Sequence, residues 1–158
     1  MLVGVPQPEL CEPLACVLQN LGVRRAMVVC GWVESGGRGS DPQAYLDELS
    51  TVGRNTVAEF YQERGFAVSV LETTQFMFQE ASLPDLIGGD AQTNAEIVRR
   101  LLSGKERGPK RDALLLNAGA ALMVAGRASS ILAGSEQAAA VIDEGLAWEK
   151  LKELMGRS

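Results

Sequence analysis

The chain has 158 residues, of which 46% are hydrophobic, 22% are charged and only 5% are aromatic. This length suffices for one domain with a buried core, and the scarcity of aromatic residues favours aliphatic packing of helices on a sheet. The net charge of −5 comes without a basic run, so no nucleic-acid partner is expected. The absence of histidine excludes histidine-based acid–base catalysis and Ser-His-Asp triads.

The cysteines and the apolar runs indicate the cellular setting. Cys11, Cys16 and Cys30 are an odd number of cysteines, at spacings that fit neither a zinc site nor a disulfide framework. All three lie in apolar stretches, so we expect buried, reduced thiols and a cytoplasmic protein. The N-terminus lacks the pattern of a signal peptide and no apolar run reaches membrane-spanning length, so no membrane partner is expected.

The N-terminal part of the chain predicts a strand–helix–strand unit. Residues 2–5 form a short apolar run that is typical of a buried strand. A helix is expected from about Glu12, because Pro13 is tolerated only in the first turn of a helix. Gly22 is a natural C-cap for this helix. Residues 25–31 predict a second buried strand, parallel to the first. A long glycine-rich loop is expected over residues 32–45, at the strand end where parallel sheets bind ligands.

The adjacent acids Asp47 and Glu48 are the strongest candidates for a binding site. They stand between apolar residues and follow the glycine-rich loop. Mg²⁺ is held in proteins by one or two carboxylates together with substrate phosphate oxygens and water. Adjacent side chains of an extended segment point to opposite sides. The pair would therefore hold two different groups, or one acid would bind a metal directly and the other would bind it through water. The alternative is a solvated turn, which is the commoner role of such a pair.

A hairpin and a capped helix follow the acidic pair. Residues 56–61 and 66–71 flank a short loop with a glycine, which predicts an antiparallel hairpin and therefore a mixed sheet. Residues 73–87 predict a connector that holds at most a short helix. The next helix runs to about residue 103, with Asp90 as its N-cap and Asn94 in its first turns. The Gly88-Gly89 turn before it suits an anion, although capping alone explains the pattern.

The C-terminal part predicts three helices. Asp112 precedes an apolar, alanine-rich helix over residues 113–125, which we expect to be central and packed on most faces. Asn117 within it either bonds a neighbouring loop or faces a ligand, and we favour the structural role because buried amides are normally satisfied. Two further helices are expected over residues 135–143 and 146–155. Together the elements predict an α/β protein with a mixed, partly parallel sheet and packed helices.

Five segments, spread over nearly the whole chain, form a recognisable series. They are Leu-Val-Gly-Val-x-x-Pro-Glu-Leu at 2–10, Glu-Pro-Leu-Ala at 12–15, Leu-Asp-Glu-Leu-Ser at 46–50, Gly-Gly-Asp-Ala-x-x-Asn-Ala-x-Ile at 88–97 and Asp-Ala-Leu-Leu-Leu-Asn-Ala at 112–118. In this order they resemble the C-terminal part of the anthranilate phosphoribosyltransferases, a family with the nucleoside-phosphorylase/phosphoribosyltransferase fold. The Gly-Gly-Asp-Ala segment and the acidic segment together make the resemblance specific.

The resemblance implies an enzyme that transfers a phosphoribosyl group from phosphoribosyl pyrophosphate to the amine of anthranilate, a step of tryptophan biosynthesis that releases pyrophosphate. It implies that Asp47 and Glu48 bind the Mg²⁺ that carries the pyrophosphate, so Mg²⁺ is the expected cofactor. It assigns no catalytic residue within this sequence and leaves the substrate-binding side chains unknown. The family's glycine-rich phosphoribosyl-pyrophosphate loop, its Lys-His-Gly-Asn segment and its helical domain have no counterpart among these residues.

We therefore expect residues 1–158 to form a single α/β domain, an incomplete catalytic domain that lacks the upstream helical domain and the phosphoribosyl-pyrophosphate loop. Such a chain is expected to be inactive alone and to expose an apolar face through which it self-associates. Two alternatives stay open. One is a non-catalytic binding or partner protein of the same fold, and the other is a related phosphoribosyltransferase or nucleoside phosphorylase with another acceptor.

Overall fold

A computed structural model of the chain, which describes residues 1–34, 42–62 and 65–156, contains a mixed sheet covered by helices. The strands are β1 (Leu2–Gly4), β2 (Arg25–Glu34), β3 (Pro42–Leu46), β4 (Asn55–Tyr61) and β5 (Gly65–Leu71). The helices are α1 (Cys11–Asn20), α2 (Leu83–Leu86), α3 (Ala91–Leu102), α4 (Pro109–Val124), α5 (Ile131–Asp143) and α6 (Leu146–Met155). Single 3-10 turns occupy Pro8–Leu10 and Thr73–Gln75. Within the described part, no helix has the length and hydrophobicity to cross a membrane.

The sheet has the order β1-β2-β4-β5, and β3 pairs with the C-terminal part of β2. β1 is parallel to β2, with Leu2 opposite Met27 and Gly4 opposite Val29, and α1 connects the two strands. All other pairs are antiparallel, including the hairpin of β4 and β5. The predicted parallel unit, the hairpin and the mixed α/β sheet are therefore confirmed.

Helices cover both faces of β2. Val28 and Cys30 pack with Cys11 of α1 on one face. Met27 lies in the cluster that Leu116 of α4 completes on the other face. Because successive strand residues point to opposite faces, a strand that is covered on both sides needs an unbroken apolar run, and this explains the composition of β2.

The predicted loop over residues 32–45 is wrong at both ends. β2 continues to Glu34, and β3 pairs antiparallel with that extension, while residues 35–41 lie outside the described residues. Trp32 and Tyr45 are directly opposite each other and their rings meet edge to face with centroids 5.7 Å apart. Cross-strand aromatic pairs stabilise a sheet. The loop was predicted from its glycines and prolines alone, and that prediction does not take such a pair into account.

Two helices begin earlier than the sequence predicted. α4 starts at Pro109 instead of near Asp112, because proline is preorganised for the first helical position. α5 starts at Ile131 instead of residue 135, because the Ser130 hydroxyl accepts a hydrogen bond from the Ala133 N–H and caps the helix. The connector before α3 contains the short helix α2, as predicted.

The cysteines are free thiols in two different environments. Cys11 and Cys30 are buried, whereas Cys16 is only partly buried, so the prediction of burial is wrong for Cys16. Burial raises the pKa of Cys11 to about 12 and that of Cys30 to about 11. Since the thiolate is the reactive form, these two thiols are inert packing groups at neutral pH.

Candidate functional site

The acidic segment, residues 47–50, follows β3 and crosses the parallel pair of β1 and β2. Asp47 and Glu48 form a bend and their side chains are exposed. Leu49 and Ser50 are each only 1% exposed. The premise that the two acids lie on an extended segment is therefore wrong, because they leave the sheet at a bend. The segment presents its carboxylates to solvent and buries the two residues that follow.

Two glycines allow the acidic segment to lie directly against the strands. A Cβ atom at Gly4, the last residue of β1, would be 1.5 Å from the Asp47 carbonyl oxygen. A Cβ atom at Gly31 of β2 would be 2.5 Å from the Glu48 carbonyl oxygen. Real side chains do not approach a backbone this closely, so only glycine fits at either position. The backbone of the acidic pair is thus held in contact with two neighbouring strands.

Two asparagine side chains bind the buried half of the acidic segment. The Leu49 N–H donates to Asn117 Oδ1 at 2.9 Å, and Asn117 Nδ2 donates to the Leu49 carbonyl at 2.9 Å. The Ser50 N–H donates to Asn55 Oδ1 at 2.6 Å, and Asn55 Nδ2 donates to the Ser50 carbonyl at 3.1 Å. Buried backbone groups outside a ladder need such partners. The predicted structural role of Asn117 is therefore confirmed.

A cleft of about 440 Å³ opens beside Glu48. Its polar lining comes from Glu48, Asn94, Lys110 and Asn117. The remaining lining is apolar apart from one glycine and consists of Leu86, Gly88, Ile97, Val98, Leu101, Ala113 and Leu114. The cleft therefore brings together the acidic segment, the Gly-Gly-Asp-Ala segment and the start of α4, which are far apart in the sequence.

The turn before α3 is held by its own side chains. The Gly89 N–H donates to Asn94 Oδ1 at 2.8 Å, and Asn94 Nδ2 donates to the Gly89 carbonyl at 2.9 Å. Asp90 caps the helix by accepting from the Thr93 N–H at 2.8 Å, and the Thr93 side chain, followed by this backbone bond, lowers the pKa of the Asp90 carboxyl. The predicted N-cap is confirmed. Because the Gly89 N–H already donates to Asn94 Oδ1, this group is not available to bind an anion at the turn.

The two carboxylates fit a hard cation better than a structural metal centre. Glu48 is exposed as a whole residue but also lines the cleft, and partial burial there, followed by the charge of Asp47, raises the pKa of its carboxyl. Among the described residues, no group of three or more His, Cys, Asp or Glu side chains is placed to hold a metal. A cation at the pair would therefore complete its coordination with water or phosphate oxygens. Mg²⁺ tolerates this arrangement, whereas structural zinc sites use four protein ligands.

Glu48→Gln is expected to stabilise the folded chain at pH 7 and to have little effect on stability at pH 4. A raised pKa means that ionising Glu48 costs more in the folded chain than in the unfolded chain. The contribution of the protonated form is complete below the ordinary carboxyl pKa and is lost as pH rises through the raised value. Denaturant unfolding of the unsubstituted chain and of Glu48→Gln at pH 7 and pH 4 measures the difference in their free energies of unfolding. An equal difference at both would show that the charge of Glu48 is not responsible.

Three residues that place the acidic pair were not predicted from the sequence. Gly4 carried a usable signal, because an isolated glycine within an apolar strand often marks the close approach of another backbone. Gly31 indicates, from the sequence alone, only the end of a strand. Asn55 gave no signal, since its bonds to the Ser50 backbone depend on how the chain turns between the acidic segment and β4.

The family described as "Glycosyl transferase family, a/b domain" matches residues 1–148. The anthranilate phosphoribosyltransferase of Lacticaseibacillus paracasei is 43% identical to the chain over 157 residues, which cover 99% of this chain and 42% of that protein. The enzyme of the same name from Methanocorpusculum labreanum is 43% identical over 154 residues, which cover 98% of this chain and 41% of that protein. The chain thus spans less than half the length of these relatives.

Solved structures agree with the sequence matches. The crystal structure of anthranilate phosphoribosyltransferase from Thermus thermophilus superimposes with a TM-score of 0.75 at 33% identity, over 95% of this chain and 40% of that one. A Saccharomyces cerevisiae anthranilate phosphoribosyltransferase variant with Mg bound gives a TM-score of 0.75 at 24% identity, over 96% of this chain and 40% of that one, and shows the same fold. The resemblance in the five segments is therefore confirmed, and the chain belongs to the glycosyl transferase family with this α/β domain.

Proposed function

We propose that the chain is the pyrophosphate-binding part of an anthranilate phosphoribosyltransferase. In that reaction the amine of anthranilate takes the phosphoribosyl group of phosphoribosyl pyrophosphate, and pyrophosphate leaves. The observation that supports this best is the position of Asp47 and Glu48. Their carboxylates are exposed at the parallel strands β1 and β2, the part of an α/β sheet where ligands bind, and their backbone is fixed by Gly4 and Gly31.

Asp47 and Glu48 would hold Mg²⁺, the cofactor proposed here. A bound divalent cation neutralises the charge that develops on a leaving pyrophosphate. The exposed carboxylates can accept a metal that is already carried by the phosphate groups, since Mg²⁺ keeps several non-protein ligands. The Mg²⁺ in the yeast variant, which shares the fold, is consistent with this proposal.

The remaining parts of the site are proposed to come from other residues. The relatives are more than twice as long as this chain, which covers 42% of the first of them. We propose that residues 1–158 form one α/β domain that needs those further segments, including a phosphoribosyl-pyrophosphate loop, for turnover. We also propose a cytoplasmic location, which the free thiols support.

A calorimetric titration of pyrophosphate into the chain, with and without Mg²⁺, tests the function. Binding is expected only when Mg²⁺ is present, because two carboxylates repel an anion unless a cation lies between them. Absence of binding under both conditions would contradict a preformed pyrophosphate site. In parallel, the chain mixed with both substrates and Mg²⁺ should leave the fluorescence of anthranilate unchanged. A steady decline would contradict the need for further segments.

We propose that an exposed apolar surface at β5 leads to self-association. β5 pairs only with β4 among the described strands, and Val68 and Val70 on it are 49% and 58% exposed. An uncharged edge strand with exposed valines is prone to pair with another chain. Sedimentation should therefore show a mass that rises with protein concentration, and Val70→Lys should lower it. Gln137→Lys, at an exposed position of α5, is the matched control. A clean monomer at high concentration would contradict the proposal.

A further inference from the structure

The peptide plane between Glu48 and Leu49 is held on both of its sides. Its N–H belongs to Leu49 and donates to Asn117 Oδ1 at 2.9 Å. Its carbonyl belongs to Glu48 and lies against Gly31, where a Cβ atom would be only 2.5 Å away. Because a peptide unit is rigid and planar and includes the Glu48 Cα atom, fixing these two groups also fixes the point from which the Glu48 side chain leaves the backbone.

The amides that hold the acidic segment are themselves anchored. Asn117 Nδ2 also donates to the Ala113 carbonyl at 3.0 Å, so the side chain is bound to its own helix α4. Asn55 is fully buried at the start of β4, and its Nδ2 also reaches the Leu71 carbonyl at 3.4 Å. Neither amide can follow a movement of the segment without breaking a second bond. The acidic segment is therefore tied to α4 on one side and to the sheet on the other.

Asn117 and Glu48 also line the same cleft. The amide is thus next to the candidate metal site, but its oxygen and its nitrogen are engaged by Leu49 and Ala113. Both hydrogens of Nδ2 are donated to backbone carbonyls, so Asn117 has no donor left for an anionic ligand and would act on it through the segment that it holds. This distinguishes Asn117 from Glu48, whose exposed carboxylate can contact the ligand directly.

We infer that Asn117 and Asn55 are positioning residues that fix Asp47 and Glu48 in the binding orientation before any ligand arrives. The inference rests on the proposed function, because it assigns these amides a role in the binding of Mg²⁺–pyrophosphate. A positioned carboxylate binds a cation without first having to be ordered, so loss of the positioning bonds should weaken binding. Losses of this kind are about 10- to 100-fold in metal affinity.

The test compares Asn117→Ala with Ser135→Ala in the full chain. Ser135 is 6% exposed, and its single hydroxyl hydrogen is shared between the Leu115 and Ile131 carbonyls. Its loss therefore removes hydrogen bonding between α4 and α5 without touching the acidic segment. Asn117→Ala should weaken Mg²⁺–pyrophosphate binding about 10- to 100-fold in calorimetry and speed hydrogen exchange at the Leu49 amide. Ser135→Ala should leave both unchanged. Asn117→Gln keeps the amide but moves it by one methylene group, so it should also weaken binding. This variant replaces Asn117→Ala in the test if the alanine variant does not fold.

The outcomes separate the inference from the proposed function. If the unsubstituted chain binds Mg²⁺–pyrophosphate and both Asn117 variants bind it equally well, the inference fails and the function stands. The inference also fails if Ser135→Ala weakens binding as much, because the effect would then be general destabilisation. If the unsubstituted chain shows no Mg²⁺-dependent binding, the proposed function fails and the inference falls with it.

Discussion

Asp47→Asn is expected to abolish the Mg²⁺-dependent binding of pyrophosphate. An amide carries no charge, so the variant leaves a single carboxylate at the acidic pair to hold the cation. Among the described residues no third acidic, cysteine or histidine ligand is grouped there to compensate. The loss of affinity should therefore exceed the roughly 10- to 100-fold that is typical when a residue that only hydrogen-bonds to a metal ligand is removed. Calorimetry with Mg²⁺–pyrophosphate at neutral pH measures it.

The control must remove one negative charge elsewhere, because the whole chain carries a net charge of −5 that also acts on an anion. Glu136→Gln does so at an exposed position of α5, away from the cleft. It should bind as the unsubstituted chain does. Asp47→Asn binding with undiminished affinity would show that the pair is a solvated turn, and it would remove the observation on which the proposed function depends.

The elements that the sequence predicted are those whose signal is local. An apolar run, a helical period and the glycine at residue 22 are enough to define the parallel unit of β1, α1 and β2. The hairpin of β4 and β5 follows in the same way from two alternating runs around a glycine. Asp90 reveals the start of α3 because a cap acts within one helical turn. In each case the residues that determine the structure are neighbours in the chain.

The elements that were missed depend on distant partners. The strand β3 contains a proline and polar residues, and it is a strand only because the extension of β2 pairs with it. The bend at Asp47 likewise depends on strands that lie more than ten residues away in the sequence, at Gly4 and Gly31. The identity of the acidic pair was therefore predictable, whereas its geometry needed the tertiary structure.

Gly4→Ala is expected to be the most destabilising single-methyl change at the site. The new Cβ atom would lie 1.5 Å from the Asp47 carbonyl oxygen and 2.3 Å from its carbon, so either β1 or the acidic segment must move. Both neighbours are backbone and cannot rotate away as a side chain would. Overpacking costs about 1–3 kcal/mol and occasionally more, and this contact should reach the upper end of that range. Pyrophosphate binding should fall with it, because the carboxylates move with the segment.

Denaturant unfolding and the Mg²⁺–pyrophosphate titration together test this expectation, with Gly156→Ala as the matched change. Gly156 has a φ of −77° at the end of α6, and the nearest atom to an added Cβ is 3.5 Å away. That variant should stay within about 0.5 kcal/mol of the unsubstituted chain. If Gly4→Ala were equally stable and bound equally well, the acidic segment would not rest on β1. The position of the two carboxylates would then depend on the Gly31 contact and the asparagine amides, and Asn117→Ala would become the more damaging change.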